Sequence, residues 1–225
     1  MLLPIENVLS AEEVLHFRQQ LAAAPWQDGR ASAGGQAMLV KDNLQLDDRS
    51  ETAQTLRNVV LAHLASHPEF ISAALPKKIF PPKFNCYQHG GHYGLHVDGA
   101  IMTLPDGQTM RTDLSVTLFL CDPDEYEGGE LVIDSHLGVQ EVKLAAGDLI
   151  LYPSTSLHRV EPVTRGERVC AFFWAQSMVR DDTRRAMLFE MDQTIQRLRA
   201  RLGETEETVS LTGQYHNLLR MWSEV

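Results

Sequence analysis

The stretch Asp113-Leu114-Ser115-Val116-Thr117-Leu118-Phe119-Leu120-Cys121 is short, mostly apolar and rich in strand-forming residues, which is typical of a buried β-strand. Seven similar runs, bounded by Gly, Pro or Asp, surround it between Lys78 and Gln176. They cover residues 79–88, 93–98, 129–133, 139–144, 148–152, 158–162 and 168–176. Because no helical run separates these eight strands, the sequence predicts a β-sandwich or barrel and not a parallel α/β sheet.

Helical patterns flank the strand-rich region. The capping box from Ser10 to Glu13 predicts a helix that ends near Ala24, and a second helix is predicted from about 48 to 65. After residue 180, apolar residues recur at spacings of three and four, which predicts a helix that ends at Gly203. This stripe consists of Leu188, Met191, Ile195, Leu198 and Leu202.

A further helix is predicted over residues 206–222, so that the C-terminal part forms a helical hairpin. We therefore expect three parts: helices and strands packed on the core (1–77), the core itself (78–178) and a C-terminal helical extension (179–225). The C-terminal stripe could pack on the parent domain or join two copies of the chain, so a homo-oligomer is one interpretation.

Composition narrows the class of protein. The 225 residues include 20 Lys and Arg against 30 Asp and Glu, so the formal net charge is −10, and we expect no nucleic-acid partner. No apolar run approaches the roughly 18 residues of a membrane helix, and no signal peptide is visible, so we expect no membrane association and a cytoplasmic location. The cysteines are odd in number and lack a C-x-x-C pair, which favours reduced thiols.

The triplet His96-Val97-Asp98 is the first candidate for a metal site. In a strand, residues i and i+2 point to the same face, so an imidazole and a carboxylate would converge there. With a second histidine they would form the facial triad of non-haem Fe(II) oxygenases. His158, which follows a predicted strand and a proline-containing turn, is the candidate for that ligand, although a loop histidine without such a role is an equally good interpretation.

Arg168 is the candidate for binding an anion. Residues 164–166 predict a hairpin turn that pairs Val163 with Glu167, and this pairing would place Arg168 on the same face as His158. Four residues of strand span about 13 Å, which leaves room for a short dicarboxylate between a metal and the guanidinium. The apolar residues 169–174 favour a buried arginine over a surface one.

These residues have a family resemblance. His96, Asp98, His158 and Arg168 resemble the signature of Fe(II)/2-oxoglutarate-dependent dioxygenases, which have a double-stranded β-helix (jelly-roll) fold. Residues 87–98 look like the entry to the prolyl-hydroxylase-like branch of this family. Residues 111–120, 126–131 and 147–160, with the C-terminal helical tail, resemble the bacterial PKHD-type hydroxylases, the PiuC-like group linked to iron uptake. The resemblance extends over nearly the whole chain, including the C-terminal helices.

The resemblance implies a set of cofactors and residue roles. Fe(II) would bind to His96, Asp98 and His158, and 2-oxoglutarate would bind to Arg168 with a hydrogen bond from Tyr87. O₂ would be the oxidant, L-ascorbate an auxiliary reductant, and succinate and CO₂ would be released during hydroxylation. Some relatives carry a second tyrosine on the strand that here holds Leu118 and Phe119, so the contacts to 2-oxoglutarate are expected to differ.

Three other interpretations stay open on the residues. A cupin-like metal-binding or sensor protein, a zinc hydrolase, or a catalytically inactive scaffold could carry the same three ligands. His89 and His92 are expected at the pocket rim or on the surface. The substrate, small-molecule or peptidyl, is expected to contact the loops at 27–46 and 99–112.

Overall fold

The chain is described as a computed structural model, which covers residues 1–32, 35–135 and 138–225. Short strands and three helices make up the N-terminal part. In chain order they are β1 (Leu3–Ile5), α1 (Ala11–Ala22), β2 (Trp26–Asp28), two 3₁₀ turns (Gly29–Ser32 and Gly35–Val40), β3 (Lys41–Asp42), β4 (Leu44–Leu46), α2 (Glu51–Ser66) and α3 (Pro68–Ala74).

Strands dominate from residue 76 to residue 177, and two long helices follow. The strands are β5 (Pro76–Ile79), β6 (Lys83–Gln88), β7 (His92–His96), β8 (Ile101–Thr103), β9 (Thr109–Arg111), β10 (Leu114–Phe119), β11 (Glu127–Gly128), β12 (Leu131–Ser135), β13 (Gly138–Val142), β14 (Leu149–Pro153), β15 (Leu157–Val160), β16 (Val163–Arg165) and β17 (Glu167–Ser177). The helices are α4 (Asp182–Leu202) and α5 (Glu206–Trp222).

Two antiparallel sheets form the core. The major sheet has the order β1-β14-β10-β17-β6-β4-β2, with β5 added beside β17, and the minor sheet has the order β13-β12-β15-β7-β3. Four central strands of each sheet, β14-β10-β17-β6 and β13-β12-β15-β7, give the jelly-roll arrangement. The expected fold class, mainly β with flanking helices and a C-terminal helical hairpin, is confirmed.

The register of the major sheet aligns the side chains that matter for the site. Ser115 lies opposite Tyr152 on one side and opposite Trp174 on the other. Arg168 lies opposite Tyr87. Because directly opposed residues point to the same face of a sheet, these polar and aromatic side chains share the inner face.

The first helices begin where their capping residues predict. The Ser10 hydroxyl accepts a hydrogen bond from the Glu13 amide at 3.3 Å, and the Glu13 carboxylate accepts one from the Ser10 amide at 2.8 Å. Ser50 caps α2 in the same manner, with its hydroxyl accepting from the Ala53 amide at 3.2 Å. Phe17 of α1 belongs to the buried core, which places this helix against the sheets.

Three local predictions are wrong. Residues 79–88 are not one strand, because the pair Pro81-Pro82 lacks amide donors and separates β5 from β6. Strand β7 ends at His96, so Asp98 lies beyond it. Val163 does not pair with Glu167: β16 pairs with β11 in a separate two-stranded sheet, and β17 pairs with β6 and β10 in the major sheet. Residues 164 and 165 belong to β16 itself, and the chain passes at Gly166 from this small sheet into the major sheet.

The C-terminal stripe packs within the chain for most of its length. Leu188 and Ile195 are buried, and α4 contacts both α3 and α5, whereas Leu202 at the end of the stripe is 64% exposed. In the described residues, no helix has both the length and the apolar character needed to cross a membrane. Ala33 and Gly34, within the expected substrate loop at 27–46, lie outside the described residues.

Candidate metal centre and its cavity

A cavity of about 590 Å³ lies between the inner faces of the two sheets. All five residues selected from the sequence line it: Tyr87, His96, Asp98, His158 and Arg168. Met102 and Thr103 of β8 also line this cavity, so part of the expected loop at 99–112 borders it. His89 is exposed, and His92 lines a separate groove beside β3.

Strand pairing places the two histidines next to each other. His158 of β15 lies directly opposite His96 of β7, and their ring centroids are 4.2 Å apart. His96 Nδ1 lies 2.7 Å from the Gly94 carbonyl oxygen, and His158 Nδ1 lies 3.1 Å from the Ser156 carbonyl oxygen. A carbonyl only accepts, so each Nδ1 donates a proton and each Nε2 lone pair is available to a metal.

Asp98 completes a three-ligand cluster from just beyond the end of β7. Its Oδ1 lies 4.0 Å from His96 Nε2, and its Oδ2 lies 3.8 Å from His158 Nε2. The ligating atoms of the three residues are all within 4.8 Å of one another. Two imidazoles and one carboxylate are therefore directed at a common point, with Asp98 reaching it from beyond the end of β7 and not from within the predicted strand.

Ser115 of the opposite sheet orients the Asp98 carboxylate. Its hydroxyl donates to Asp98 Oδ2 at 2.5 Å and lies 2.8 Å from the Ser154 hydroxyl. Because the Ser115 proton is used on Asp98, Ser154 is the donor in the second bond. This chain of hydrogen bonds occupies Oδ2 and leaves Oδ1 for a metal ion. Neither serine was selected from the sequence.

Burial keeps the first histidine neutral. Desolvation, together with the neighbouring His158, lowers the pKa of His96 to about 4. The Tyr93 ring stacks on the His96 imidazole with centroids 3.6 Å apart, and burial raises the pKa of Tyr93 to about 12. A neutral imidazole held between aromatic groups is the form that binds a metal.

Arg168 occupies another wall of the same cavity. It is 2% exposed, and its guanidinium carbon lies 5.4 Å from the centroid of the Tyr87 ring and 5.2 Å from that of Phe119. Within the described residues, its Nε and Nη2 have no hydrogen-bond partner. Gly129, with φ of +70°, makes space for this side chain, since a Cβ there would lie 3.0 Å from Arg168 Cδ.

Two tyrosine hydroxyls accompany the arginine. Tyr87 is buried, and its hydroxyl accepts from Asn85 Nδ2 at 3.5 Å. Burial raises the pKa of both Tyr87 and Tyr126 well above the usual range, so both are neutral donors. The hydroxyl of Tyr126 has no hydrogen-bond partner in the described part of the chain. Tyr126 thus supplies a second tyrosine near the arginine, which the sequence analysis missed.

The comparisons with known proteins agree with this geometry. Residues 82–176 match the 2OG-Fe(II) oxygenase superfamily, and residues 182–224 match the PKHD-type hydroxylase C-terminal domain. PKHD-type hydroxylases of Herminiimonas arsenicoxydans and Stenotrophomonas maltophilia (strain R551-3) are 55% and 56% identical to this chain, each over the full length of both proteins.

Solved structures share the fold at low identity. A prolyl-4-hydroxylase from Pseudomonas putida has a TM-score of 0.53 and 19% identity, covering 78% of this chain and 92% of its own. HygX from Streptomyces hygroscopicus, solved with nickel, 2-oxoglutarate and hygromycin B, has a TM-score of 0.52 and 15% identity, covering 79% of this chain and 84% of its own.

Full-length identity above one half decides the assignment. The chain belongs to the PKHD-type hydroxylases of the 2OG-Fe(II) oxygenase superfamily, and it is an oxidoreductase that acts as a 2-oxoglutarate-dependent dioxygenase.

Proposed function

We propose that the protein hydroxylates a C–H bond of a small-molecule or peptidyl substrate, with Fe(II) held by His96, Asp98 and His158 and 2-oxoglutarate held by Arg168 and Tyr87. The observation that carries this proposal is the buried Arg168 guanidinium, whose Nε and Nη2 meet no acceptor within the described chain. A buried cation without an acceptor is costly, and a carboxylate of 2-oxoglutarate would provide two acceptor oxygens.

The donor set at the cluster suits the metal. Two neutral imidazoles and one carboxylate are the ligands of non-haem Fe(II) oxygenases, and they leave further positions for other ligands. When bound, the iron supplies oxidising chemistry with O₂ and 2-oxoglutarate, and succinate and CO₂ are the by-products. A zinc hydrolase or a cupin-like sensor would leave the buried Arg168 without a role.

The residues of the chain have separate tasks in this proposal. Ser115 fixes the orientation of Asp98, while Gly94 and Ser156 fix the two imidazoles through their carbonyl groups. Arg168 binds the far carboxylate of 2-oxoglutarate, and the neutral Tyr87 hydroxyl donates to it. The apolar lining of the cavity excludes water from the reacting atoms.

Replacement of Arg168 tests the proposal. In Arg168→Gln, we expect the dissociation constant for 2-oxoglutarate to rise by about 100-fold, since a buried charge-assisted pair is lost, while metal affinity is retained. The measurement is an anaerobic titration of the Fe(II)-loaded protein, followed by the visible charge-transfer absorption and then by succinate formation after O₂ is added. The matched control is Arg165→Gln, because Arg165 is exposed and pairs with Glu127 on the surface.

The metal ligands are tested in the same series. Asp98→Ala is expected to lose Fe(II) binding and coupled turnover together. An Arg168→Gln protein with unchanged affinity for 2-oxoglutarate, or an Asp98→Ala protein that turns over normally, would contradict the assignment of these residues.

Further parts of the proposal concern the setting of the enzyme. Ascorbate as an auxiliary reductant predicts that succinate formation persists longer in its presence. The iron requirement supports a link to iron homeostasis, testable by growth of a deletion strain under iron limitation.

The three free, buried thiols support a cytoplasmic location, testable by cell fractionation. An apolar groove on α4 and α5, lined by Met187 and Leu218, supports a homo-oligomer, which sedimentation of Met187→Lys would test.

A further inference from the structure

A two-stranded ribbon, formed by β8 and β9, borders the cavity that holds the proposed metal ligands. Its strands pair antiparallel, and in the described residues neither of them pairs with a third strand. Met102 and Thr103 of β8 line the cavity, and β8 begins at Ile101, shortly after Asp98. Because three residues of extended chain span about 10 Å, a molecule held along β8 lies within reach of the proposed metal centre.

The hydrogen bonds at the two ends of the ribbon show which residues of β8 bond to β9. The Thr112 amide donates to the Ala100 carbonyl at 3.0 Å, and the Leu104 amide donates to the Gln108 carbonyl at 2.7 Å. Hydrogen-bonded pairs alternate with non-hydrogen-bonded pairs along an antiparallel ladder. The even-numbered residues of β8 therefore bond to β9, and the backbone groups of the odd-numbered residues point to the other edge.

The outer edge of β8 thus presents the amide and carbonyl groups of Ile101 and Thr103. Ile101 is 61% exposed, and Thr103 is exposed as well. The opposite edge of the ribbon is covered, since Lys78 Nζ donates to the Thr109 carbonyl at 3.1 Å. The β8 edge offers two donors and two acceptors at the spacing of a strand, which is the pattern that an extended peptide main chain matches.

The cavity beside β8 is lined by apolar side chains. The rings of Phe80 and Trp174 meet edge to face with centroids 5.5 Å apart, and those of Phe172 and Trp174 do so at 5.7 Å. These three residues and Met102 all line the cavity. Met102 shares its face of the ribbon with Met110, which is 1% exposed, so this face is turned inward. An apolar side chain that enters beside Met102 would meet aromatic rings.

A strand added to β8 would direct one side chain into this cavity. Directly opposed residues of neighbouring strands point to the same face, so the residue opposite Met102 would turn inward. Its two neighbours, opposite Ile101 and Thr103, would make the main-chain hydrogen bonds. The amide of the inward residue would point away from β8 and would take no part in the pairing.

We propose that the substrate is an extended peptide segment that pairs antiparallel with β8. One apolar side chain of this segment enters the cavity between Met102 and the rings of Phe80, Phe172 and Trp174. The inference rests on the proposed function, because it selects the peptidyl class from the two substrate classes given there. Main-chain pairing supplies affinity, and the inserted side chain supplies specificity.

Methylation of single peptide amides tests the pairing. The probe is acetyl-Ala-Thr-Leu-Thr-Ala-amide, and its binding to the protein loaded with Zn(II) and 2-oxoglutarate is followed by calorimetry. We expect N-methylation of either threonine to weaken binding by about tenfold, because a donor to β8 is lost. N-methylation of the leucine is the matched control and is expected to change binding less than about twofold. Replacement of the leucine by serine is expected to weaken binding by about tenfold, since the burial of an apolar side chain is lost.

Variants assign these effects to the protein. Thr103→Pro removes the outward amide and retains the bonds to β9, so we expect it to weaken binding of the probe by about tenfold. Thr103→Val keeps the main chain and is expected to bind the probe like the parent protein. Phe80→Ser is expected to remove the preference for leucine over serine at the centre of the probe. The affinity for 2-oxoglutarate is measured in each variant to show that the cavity is intact.

Three results would overturn the inference. They are a probe that does not bind, equal effects of methylation at all three amides, and a Thr103→Pro protein that binds the probe as tightly as the parent. If Thr103→Pro also lost its affinity for 2-oxoglutarate, the methylation series on the parent protein would decide. Failure of the proposed function is a separate result, since it would appear as unchanged 2-oxoglutarate affinity in Arg168→Gln.

Discussion

Ser115 joins the major sheet to one of the proposed metal ligands, through its 2.5 Å hydrogen bond to Asp98 Oδ2. In Ser115→Ala, the carboxylate loses this partner and can rotate. We expect metal affinity to fall by about 10- to 100-fold, the usual effect of removing a residue that orients a ligand. The measurement is a Mn(II) titration followed by electron paramagnetic resonance.

The control for this prediction is Ser156→Ala. Ser156 contacts His158 only through its carbonyl oxygen, which this substitution retains, so metal affinity should stay the same. Equal losses in the two variants would mean that Ser115 has no special role in orienting Asp98.

Lys41 is a second residue whose contribution to the stability of the folded protein can be measured. Burial, reinforced by Lys83, lowers the pKa of Lys41 from its ordinary 10.5 to about 8, and Asp98, Asp28 and Asp48 offset this only in part. Between these two pKa values the folded state binds fewer protons than the unfolded state, so stability rises with pH in that window. Below about pH 8 the buried charge destabilises the folded state by up to about 3 kcal/mol.

Lys41→Met removes this charge from the interior. We expect the free energy of unfolding at about pH 7 to increase by about 1–3 kcal/mol, and the rise of stability between about pH 8 and 10 to disappear. Urea unfolding of the variant and the parent protein at several pH values measures both effects. A Lys41→Met protein that is less stable than the parent at neutral pH would refute the prediction.

Residues close together in sequence or set in a recognisable pattern could be predicted for the site. His96, Asp98, His158, Arg168 and Tyr87 all line one cavity, as expected. The residues that were missed are distant in sequence and have no signature of their own. Sheet pairing brings Ser115 and Lys41 to the cavity, whereas Tyr126 lies near Arg168 in the loop before β11, and sequence spacing predicts neither placement.

At the scale of the element, the capping box of α1 is the contact with the clearest expected effect. Ser10→Ala removes the acceptor for the Glu13 amide, and loss of an N-cap costs about 1 kcal/mol of unfolding free energy. Ser10→Asn, which can still cap, is expected to restore most of this stability. Urea unfolding of the two variants checks the difference, and equal losses would show that capping is not the cause.

Elements with a periodic pattern and a capping residue were predictable, and their partners were not. The apolar spacing from Leu188 and the capping glycine Gly203 gave α4 its correct end. The hairpin turn predicted at 164–166 was wrong, because residues 164 and 165 belong to strand β16 and the chain passes at Gly166 into the major sheet. Turn-forming residues in a sequence do not indicate which sheet the next strand joins.

At the scale of the whole molecule, the C-terminal tail is bound to the base of the two-stranded ribbon that β8 and β9 form by antiparallel pairing. Glu224 Oε2 accepts from Arg111 Nη1 at 3.1 Å, and the Glu224 carbonyl accepts from Lys77 Nζ at 3.0 Å. The Glu224 amide donates to the Met178 carbonyl at 2.7 Å. Since β8 lines the cavity, the C-terminal extension supports one of its walls.

Deletion of residues 223–225 tests this support. We expect hydrogen exchange of the amides in residues 101–111 to accelerate by about tenfold, because the ion pair between Arg111 and Glu224 that ties the ribbon to the tail is lost. Metal binding is expected to be unchanged, since the tail does not contact the three ligands. Unchanged exchange in the ribbon would show that it is held by its own contacts, such as that of Lys78 with Gln108.

The overall architecture was predictable from the pattern of apolar runs along the sequence, but the short strands at the edges of the sheets were not. Eight apolar runs without intervening helices are enough to indicate two stacked sheets. The short strands β1, β2 and β4 extend the major sheet and β3 extends the minor one, but two- or three-residue strands carry too little alternation to be recognised.

The residues that would hold iron and 2-oxoglutarate are divided between the two sheets. His96 and His158 belong to the minor sheet, whereas Arg168 belongs to the major sheet, together with Ser115, which orients Asp98. Iron and 2-oxoglutarate bound together would thus link the two sheets. Because they bind the folded state and not the unfolded one, the loaded protein would resist heat and proteases better than the empty one. A shortage of either ligand would then shorten the lifetime of the folded protein as well as lower its activity.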